Sequence, residues 1–220
     1  MAAILISGTG RGIGLALARC FAARGDRVIA LCRDTSTELA QIEGIRIIDD
    51  VDVTVDAAVL RLQALLDKLP LDVIIHNAGV MSDETLQALD LERIRYQFEV
   101  NSIAPLRLTQ ALLSNLRNGS KVVLITSRMG SIDDNSSGGM YGYRMSKAAL
   151  NMAGRSLAVD LKPLGIAVGI FHPGMVATAL TGEQGIDPAA AAQQLVERID
   201  ELSLDSSGQF FHANGQALPW

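Results

Sequence analysis

The sequence predicts an α/β protein in which helices cover both faces of a doubly wound parallel sheet of about seven strands. Short apolar segments alternate with longer amphipathic segments, which is the order that repeated βαβ units require. The short segments are almost continuously apolar, as expected for strands that are buried on both faces. No internal repeat or linker interrupts this order, so we expect one domain over residues 1–220.

The elements follow from runs of aliphatic residues bounded by Gly, Pro, Asn and Asp. The predicted strands are residues 2–7, 27–32, 45–48, 71–75, 121–126, 166–171 and 209–212. The predicted helices are residues 13–24, 55–66, 89–117, 140–161 and 188–202. Pro163 and Gly165 end the fourth helix, and Pro188 stands in the first turn of the fifth.

Composition argues against several kinds of partner. A net charge of −5 and a pI near 5.2 disfavour binding to nucleic acid or to an acidic membrane. Residues 163–182 carry no Lys, Arg, Asp or Glu, but Pro173 and four glycines interrupt the run, which favours a buried strand and loop over a membrane span. The opening residues lack a basic region and a long apolar run, so we expect no signal peptide and a cytoplasmic location.

The two cysteines and three histidines have no metal-ligand spacing, so no metal site is expected. Cys20 and Cys32 lie in a predicted helix and at a strand end, and we interpret both as small buried hydrophobic residues.

A glycine-rich segment joins the first strand to the first helix. It runs Gly8-Thr-Gly-Arg-Gly12-Ile13-Gly14. Glycines permit a tight turn and let backbone N–H groups approach a pyrophosphate at the helix N-terminus. The alternative is an ordinary βα turn, which rarely needs so many glycines.

Tyr143 and Lys147 stand at positions i and i+4 of the fourth predicted helix and therefore share one face. Lowering a tyrosine pKa from about 10 to about 7 requires about 4 kcal/mol. An ammonium about 5 Å away contributes about 3 kcal/mol at an effective dielectric near 20. The pair is therefore a candidate for acid catalysis near neutral pH. The alternative is an exposed helix pair that contributes a few tenths of a kcal/mol.

Six segments stand in order along the chain: Gly8-x-x-x-Gly12-x-Gly14, Asn77-Ala78-Gly79, Asn101, Ser127, Tyr143-x-x-x-Lys147 and Pro173-Gly174. Their order and spacing resemble those of the short-chain dehydrogenase/reductase family, over essentially the whole length of the chain. Residues 207–220 and 138–147 resemble the C-factor-like and sniffer-like carbonyl reductases in particular. The resemblance implies a single-domain Rossmann fold that transfers hydride between a nicotinamide cofactor and a small carbonyl or alcohol substrate.

The resemblance also assigns a role to each catalytic position. Ser127 would hydrogen-bond the substrate carbonyl, and Tyr143 would act as the general acid or base. Lys147 would hold the nicotinamide ribose and lower the pKa of the tyrosine, and Asn101 would position a water that links Lys147 to solvent. For Asn101 a second interpretation stays open, that of a helix-kink residue bonded to backbone.

The same resemblance implies a set of cofactor contacts. Asp52 and Val53 match positions that meet the adenine, Asn77 to Gly79 match those beside the adenosine ribose, and Val176 and Thr178 match those near the nicotinamide amide and the phosphates. The implied cofactor-binding residues are Gly8, Arg11, Gly12, Ile13, Gly14, Arg33, Asp52, Val53, Asn77, Ala78, Gly79, Tyr143, Lys147, Val176 and Thr178.

The end of the second strand predicts that NADP(H) is preferred, with NAD(H) as the alternative. NAD-dependent relatives place an acidic residue where Cys32 stands, to bind the ribose hydroxyls. The next residue is Arg33, at the position of a phosphate-binding arginine in NADP-dependent relatives, and Arg11 supplies a second cation. The alternative is that both arginines are solvated surface residues.

Two departures from the family pattern remain open. His76 replaces the first asparagine of the usual Asn-Asn-Ala-Gly, and we expect a partnered strand-end histidine without a catalytic part. Arg128, directly after Ser127, is either a substrate contact or a solvated loop residue. Met81, Met129, Met175 and Leu180 are expected to line an apolar substrate pocket.

Two further expectations concern partners and function class. Relatives pair through helices that correspond to residues 89–117 and 140–161, so we expect a homodimer. The outer faces of these helices are predicted to carry Leu106, Leu113, Leu150 and Leu157, some of which must serve the protein's own core. A second hypothesis is a catalytically silent dinucleotide-binding regulatory or signalling protein of the same fold. The complete set of Ser127, Asn101, Tyr143 and Lys147 argues against it, since a pure binder has no need of an acid.

Overall fold

The computed structural model describes residues 1–220, and its centre is a seven-stranded sheet in the order β3-β2-β1-β4-β5-β6-β7. Every neighbouring pair of strands is parallel. The strands are β1 (Ala3–Ser7), β2 (Arg27–Leu31), β3 (Arg46–Ile48), β4 (Val73–His76), β5 (Lys121–Ile125), β6 (Ala167–His172) and β7 (Phe210–His212). All seven predicted strands are present, and the predicted doubly wound parallel sheet is confirmed.

Seven α-helices connect the strands. They are α1 (Gly12–Ala23), α2 (Thr37–Ala40), α3 (Asp56–Leu66), α4 (Leu91–Phe98), α5 (Ala104–Ala111), α6 (Tyr141–Leu161) and α7 (Pro188–Glu201). The sequence analysis missed α2, a single turn in which Ser36 Oγ accepts a hydrogen bond from Leu39 N at 3.2 Å. No helix combines the length and the apolar character needed to cross a membrane.

Alternate residues of each strand enter two different cores, as the pleat of a strand requires. Ile4 and Ile6 of β1 pack in the core that includes α1 and α7. Ala3 and Leu5 pack on the opposite face, in the core that includes α3 and α5. Helix α6 packs with β5 and β6 in a third cluster. Both faces of the sheet are therefore buried, which explains why the strands read as continuous apolar runs.

The predicted single helix over residues 89–117 is wrong. The chain forms α4, then a wider π-helical turn over Glu99–Ile103, then α5 and a short 3₁₀ turn over Leu113–Asn115. Pro105 has no N–H and therefore cannot donate to the carbonyl of Asn101, as a regular α-helix would require. The helix widens instead, and Ala104 N donates to Glu99 O, five residues back. Asn101 lies within this turn.

The outer face predicted for the two long helices is correct in part. Leu106 and Leu113 are exposed, at 41% and 40%. Leu150 is buried in the chain's own core and therefore does not lie on the outer face, whereas Leu157 is partly buried and packs against that core. The exposed apolar residues of α6 are instead Met145, Met152 and Val159. Cys32 is buried as expected, whereas Cys20 is only partly buried, and both thiols are free.

The direction in which the chain winds reverses between β1 and β4, which are neighbours in the sheet but not in sequence. The connections that follow these two strands diverge, so a crevice opens at their carboxyl ends. The glycine-rich segment follows β1, and Asn77, Ala78 and Gly79 follow β4. The fold therefore brings both motifs to one place.

Candidate active site

A cleft of about 1250 Å³ runs along the carboxyl ends of the central strands. Of the seventeen residues predicted for catalysis or cofactor binding, fifteen line it. Gly14 and Asn101 do not line it, and both are buried beside it. No group of three or more His, Cys, Asp and Glu side chains is arranged to hold a metal ion.

Glycine is required in the loop between β1 and α1. Gly8 and Gly12 have φ values of +72° and +56°, in the left-handed region that disfavours a side chain. A Cβ at Gly14 would lie 2.1 Å from the carbonyl oxygen of Gly8. The loop therefore folds tightly against the start of α1, and the alternative of an ordinary βα turn does not account for this packing.

The loop is fixed to the end of β4 by polar contacts. Ser7 Oγ accepts hydrogen bonds from the backbone N–H groups of Asn77 and Ala78, at 3.1 and 3.2 Å. Asn77 Nδ2 donates to the carbonyl oxygens of Ser7 and Gly8, at 3.1 and 3.0 Å. The Asn77 side chain therefore holds the glycine loop against the end of β4.

The N-terminus of α1 has the character of an anion site. No side chain caps this end, and the first turn contains no acidic residue. The first N–H groups of a helix have no partner within the helix, and the helix dipole favours negative charge there. Gly10, Gly12 and Ile13 line the cleft at this point. These residues fit the pyrophosphate of a dinucleotide.

Two free guanidinium groups lie at the edge of the cleft beyond this loop. Arg11 and Arg33 are exposed, line the cleft and form no ion pair in the structure. Cys32 is buried at the end of β2, and burial raises the pKa of its thiol, so this position is uncharged. Asp34 also lines the cleft and is the acidic group closest in sequence to Arg33.

Asp52 turns its carboxylate onto its own loop. Its Oδ1 accepts hydrogen bonds from the backbone N and the Oγ1 of Thr54, at 2.9 and 2.6 Å. Burial alone would raise the pKa of Asp52, but the hydrogen bonds from Thr54 and the charge of Arg33 together lower it. The carboxylate therefore stays ionised and shapes the wall of the cleft beside Val53.

Ser127, Tyr143 and Lys147 meet at the other end of the cleft. Ser127 ends the segment after β5, where its Oγ accepts a hydrogen bond from Met129 N at 3.1 Å and caps a 3₁₀ turn. Tyr143 and Lys147 are buried side chains of α6, and Lys147 Nζ lies 5.8 Å from the centre of the tyrosine ring. Lys147 Nζ also donates to Ile125 O at 2.9 Å.

Burial controls the protonation of this pair in the chain alone. Burial raises the pKa of Tyr143, and the polar side chain of Ser127 opposes this only in part. Burial lowers the pKa of Lys147 to about 8. In the chain alone the pKa of Tyr143 therefore lies above its ordinary value, and a lowering by Lys147 together with a bound oxidised nicotinamide stays a prediction.

Asn101 bonds to backbone, as the second interpretation of this residue proposed. Its Nδ2 donates to Val80 O at 2.9 Å and to Ser146 Oγ at 3.0 Å, and its Oδ1 accepts from Val80 N at 2.9 Å. A Cβ at Gly79 would lie 3.4 Å from Asn101 Oδ1 and 3.7 Å from Lys147 Nζ. Asn101 and Lys147 therefore approach the same point of the wall.

The sequence analysis missed the residues that hold the turn after Ser127. A Cβ at Gly130 would lie 2.7 Å from the carbonyl carbon of Lys147, so only glycine lets this turn pack on α6. Asn151 Nδ2 donates to Gly130 O at 3.3 Å, and Thr126 Oγ1 donates to Asn151 Oδ1 at 2.6 Å. The sequence offered no signal for these contacts, which join separate elements.

A second missed group holds the start of α6. Glu84 is 2% exposed, and its carboxylate accepts hydrogen bonds from Gln97 Nε2 at 2.8 Å and from Gly142 N at 3.3 Å. The carbonyl oxygen of Glu84 accepts from Met140 N at 2.8 Å. A carboxylate at a helix N-terminus is stabilising, so this group fixes the turn that carries Tyr143.

The two departures from the family pattern lie in different surroundings. His76 is buried, its Nε2 is 2.8 Å from Thr109 Oγ1, and burial lowers its pKa to about 3. This confirms a partnered strand-end histidine, outside the cleft. Arg128 lines the cleft and pairs with Asp134. The predicted apolar residues also line the cleft: Met81, Met129, Met175 and Leu180.

Comparisons with known proteins agree with this geometry. The chain is 43% identical to 1-hydroxy-2-glutathionyl-2-methyl-3-butene dehydrogenase of Rhodococcus sp. (strain AD45) over all of both chains. It is 43% identical to C-signal of Myxococcus xanthus over 155 residues, which cover 69% of this chain and 93% of the relative. The crystal structure of an NADPH-bound carbonyl reductase from chicken fatty liver superposes with a TM-score of 0.91 at 27% identity, covering 100% of this chain and 99% of that one.

The family model for short chain dehydrogenases matches residues 2–189, which is most of the chain. This match, the full-length relative and the fold agree with the motifs quoted from the sequence. The chain belongs to the short-chain dehydrogenase/reductase family of oxidoreductases.

Proposed function

We propose that this protein is an NADP(H)-dependent oxidoreductase that interconverts a carbonyl and an alcohol, with Tyr143 as the general acid or base. One observation carries the proposal. Tyr143 and Lys147 are buried on one face of α6 and meet Ser127 in a cleft whose other end is a glycine loop at a helix N-terminus. A dinucleotide and a small substrate would then meet at the tyrosine.

The chemistry of the residues suits carbonyl reduction. Ser127 Oγ would hydrogen-bond the substrate carbonyl oxygen, and the Tyr143 hydroxyl would give that oxygen its proton. Because burial raises the pKa of Tyr143, the phenol stays protonated near neutral pH and is available as an acid. Lys147, when charged, would stabilise the tyrosinate that remains. When bound, the nicotinamide supplies or accepts the hydride.

The residues fit a dinucleotide. The glycine loop leaves no room for side chains, and the helix behind it offers N–H groups without a capping side chain. Arg11 and Arg33 would bind the 2′-phosphate of NADP(H), because both are free of ion pairs and Cys32 places no negative charge beside them. The chicken liver carbonyl reductase, a structural relative, is described as NADPH bound.

The substrate is proposed to be a small carbonyl or alcohol compound. Met81, Met129, Met175 and Leu180 give the substrate end an apolar wall. The full-length Rhodococcus relative is named as a dehydrogenase of a hydroxylated glutathionyl butene, and the structural relative as a carbonyl reductase. Both names support chemistry between an alcohol and a carbonyl.

We further propose a single-domain cytoplasmic protein that forms homodimers. Ile103, Leu106 and Leu113 on one side, and Met145, Met152 and Val159 on α6, leave apolar side chains exposed. The π-helical turn Glu99–Ile103 packs against α6, so the exposed side chain of Ile103 lies on a segment adjacent to α6. A second copy would cover these exposed side chains from water.

The proposed activity is tested by mixing purified protein with NADPH and a panel of aldehydes and ketones, and following loss of NADPH. Oxidation of NADPH that depends on a carbonyl compound supports the proposal. Tight binding of NADPH with no turnover across a broad panel would favour the regulatory hypothesis instead, to which the name of the Myxococcus relative, C-signal, draws attention.

A further inference from the structure

Arg128 is a charged residue beside the proposed reaction centre, and the chemistry above does not use it. It directly follows Ser127, stands in the 3₁₀ turn Arg128–Gly130 and lines the cleft. Its side chain is 51% exposed, so the guanidinium lies at the rim, between solvent and the substrate end. At this exposed position the arginine side chain stays hydrated and does not pack in the core.

The guanidinium is held by one edge only. Its Nε donates to Asp134 Oδ2, and neither Nη1 nor Nη2 donates a hydrogen bond within the chain. The turn below is rigid, because Gly130 packs on α6 and Ser127 caps the turn. Asp134 therefore orients the guanidinium and leaves both terminal amino groups free, which is the edge that binds a carboxylate through two parallel hydrogen bonds.

Neighbouring groups leave room for an anion beside Arg128. His172 lines the same end of the cleft, and burial together with His212 and Arg128 lowers its pKa to about 4, so it is neutral near pH 7. Arg144 also lines the cleft and forms no ion pair; it bonds Gly138 O and Ser137 Oγ at 3.2 and 2.7 Å.

The negative groups that face this end are Asp134 and Glu183, and Asp134 is already paired. Their charges oppose an incoming anion, so the gain from Arg128 is expected to be moderate.

We propose that Arg128 forms an anion-binding subsite at the substrate end of the cleft, which selects carbonyl substrates that carry a carboxylate. This deepens the proposed function and rests on it. The apolar wall would hold the body of such a substrate, Ser127 and Tyr143 its carbonyl oxygen, and the free edge of Arg128 its carboxylate. The relevant substrates are aldehyde or keto acids and the hydroxy acids formed from them.

The test compares 4-formylbenzoate with its methyl ester, which differ at the far end of the ring, where the acid carries a negative charge and the ester a neutral methyl group. The measured quantity is the ratio of kcat/KM for the acid to that for the ester, with NADPH. We expect this ratio to fall about tenfold in Arg128→Met, as for loss of one partly exposed charged hydrogen-bonding pair. Arg128→Lys keeps the charge but loses the two parallel hydrogen bonds, so it should retain only part of the ratio, and added salt should lower the ratio in the wild type.

Two further variants sharpen the result. Asp134→Asn keeps an acceptor for Nε but removes a negative charge, so the ratio should rise. Arg95→Met is the matched control, because Arg95 is exposed on α4 and pairs only with Glu92. An unchanged ratio in Arg128→Met, or an equal loss for acid and ester, would overturn the subsite and leave Arg128 as a support for the loop.

Failure of the proposed function has a different signature. If wild-type protein turns over neither the acid nor the ester, binding of benzoate and of benzamide is measured by calorimetry, with and without NADP⁺. Benzoate binding that exceeds benzamide binding and is lost in Arg128→Met would support the subsite without turnover. Equal binding of the two compounds, or benzoate binding that survives in Arg128→Met, would overturn it.

Discussion

Replacing Arg33 with alanine is expected to remove most of the preference for NADPH over NADH. Arg33 is exposed at the cleft and has no ion-pair partner, and its charge lowers the pKa of Asp52. A hydrogen bond to a charged group contributes about 1.5–3 kcal/mol. Solvent screens an exposed pair, so the lower end applies, which corresponds to about a tenfold change in the cofactor ratio.

The assay is the ratio of kcat/KM for NADPH to that for NADH in the wild type, Arg33→Ala and Arg11→Ala. Arg19→Ala is the control, because Arg19 is also an exposed arginine without an ion pair but lies outside the cleft. We expect a clear preference for NADPH in the wild type, a fall of about tenfold in Arg33→Ala and no change in the control. Equal use of both cofactors by the wild type, or an unchanged ratio in Arg33→Ala, would refute the assignment.

Three other predictions follow from particular contacts. Gly130→Ala places a methyl group 2.7 Å from the carbonyl carbon of Lys147 and should cost about 1–3 kcal/mol in urea unfolding; unaltered stability would contradict the packing. The pKa of His76 is about 3 in the folded chain and near 6.5 unfolded, so between these values the unfolded state binds more protons. The free energy of unfolding should therefore decrease as the pH is lowered from 6.5, by up to about 1.4 kcal/mol per pH unit from this residue. The decrease should be less steep in His76→Asn, and equal slopes in the two proteins would contradict the prediction. Light scattering should give twice the 23.4 kDa of one chain, reduced to one chain in Met152→Glu, and a monomeric wild type would exclude the dimer.

Local sequence patterns predicted the sheet and most of its connections. A strand that is buried on both faces must be apolar at every position, so its run stands out from the amphipathic helices around it. The glycine loop could be predicted equally well, because Gly8 and Gly14 lie in one short segment where the backbone packs too closely for side chains. Such features depend on few residues that are near in sequence.

Features that depend on tertiary contacts were not predictable in this way. The π-helical turn at Asn101 arises from Pro105 together with a side chain that bonds Val80 in another segment. Leu150 was placed on the outer face because the sequence shows only the spacing of apolar residues along the helix. That spacing does not say which side of the helix packs on the sheet, and Leu150 is in fact buried.

The effect of burial on the pKa values of Tyr143 and Lys147 could not be predicted for the same reason, since burial of the pair is a property of the fold. The contacts of Gly130 with α6, and of Glu84 with the start of α6, join residues far apart in sequence. Sequence alone could identify the reacting side chains, but not the contacts that orient them.

The central claim is that the Tyr143 hydroxyl gives the substrate its proton, and the most direct test is the kcat for NADPH-dependent carbonyl reduction by Tyr143→Phe. Phenylalanine keeps the ring that packs beside Lys147 and removes only the hydroxyl. We expect kcat to fall at least about 100-fold while the Kd for NADPH stays within a few-fold, because the hydroxyl acts in the transition state. A variant that kept more than about a tenth of wild-type kcat would contradict the account, since general acid catalysis contributes at least about 100-fold.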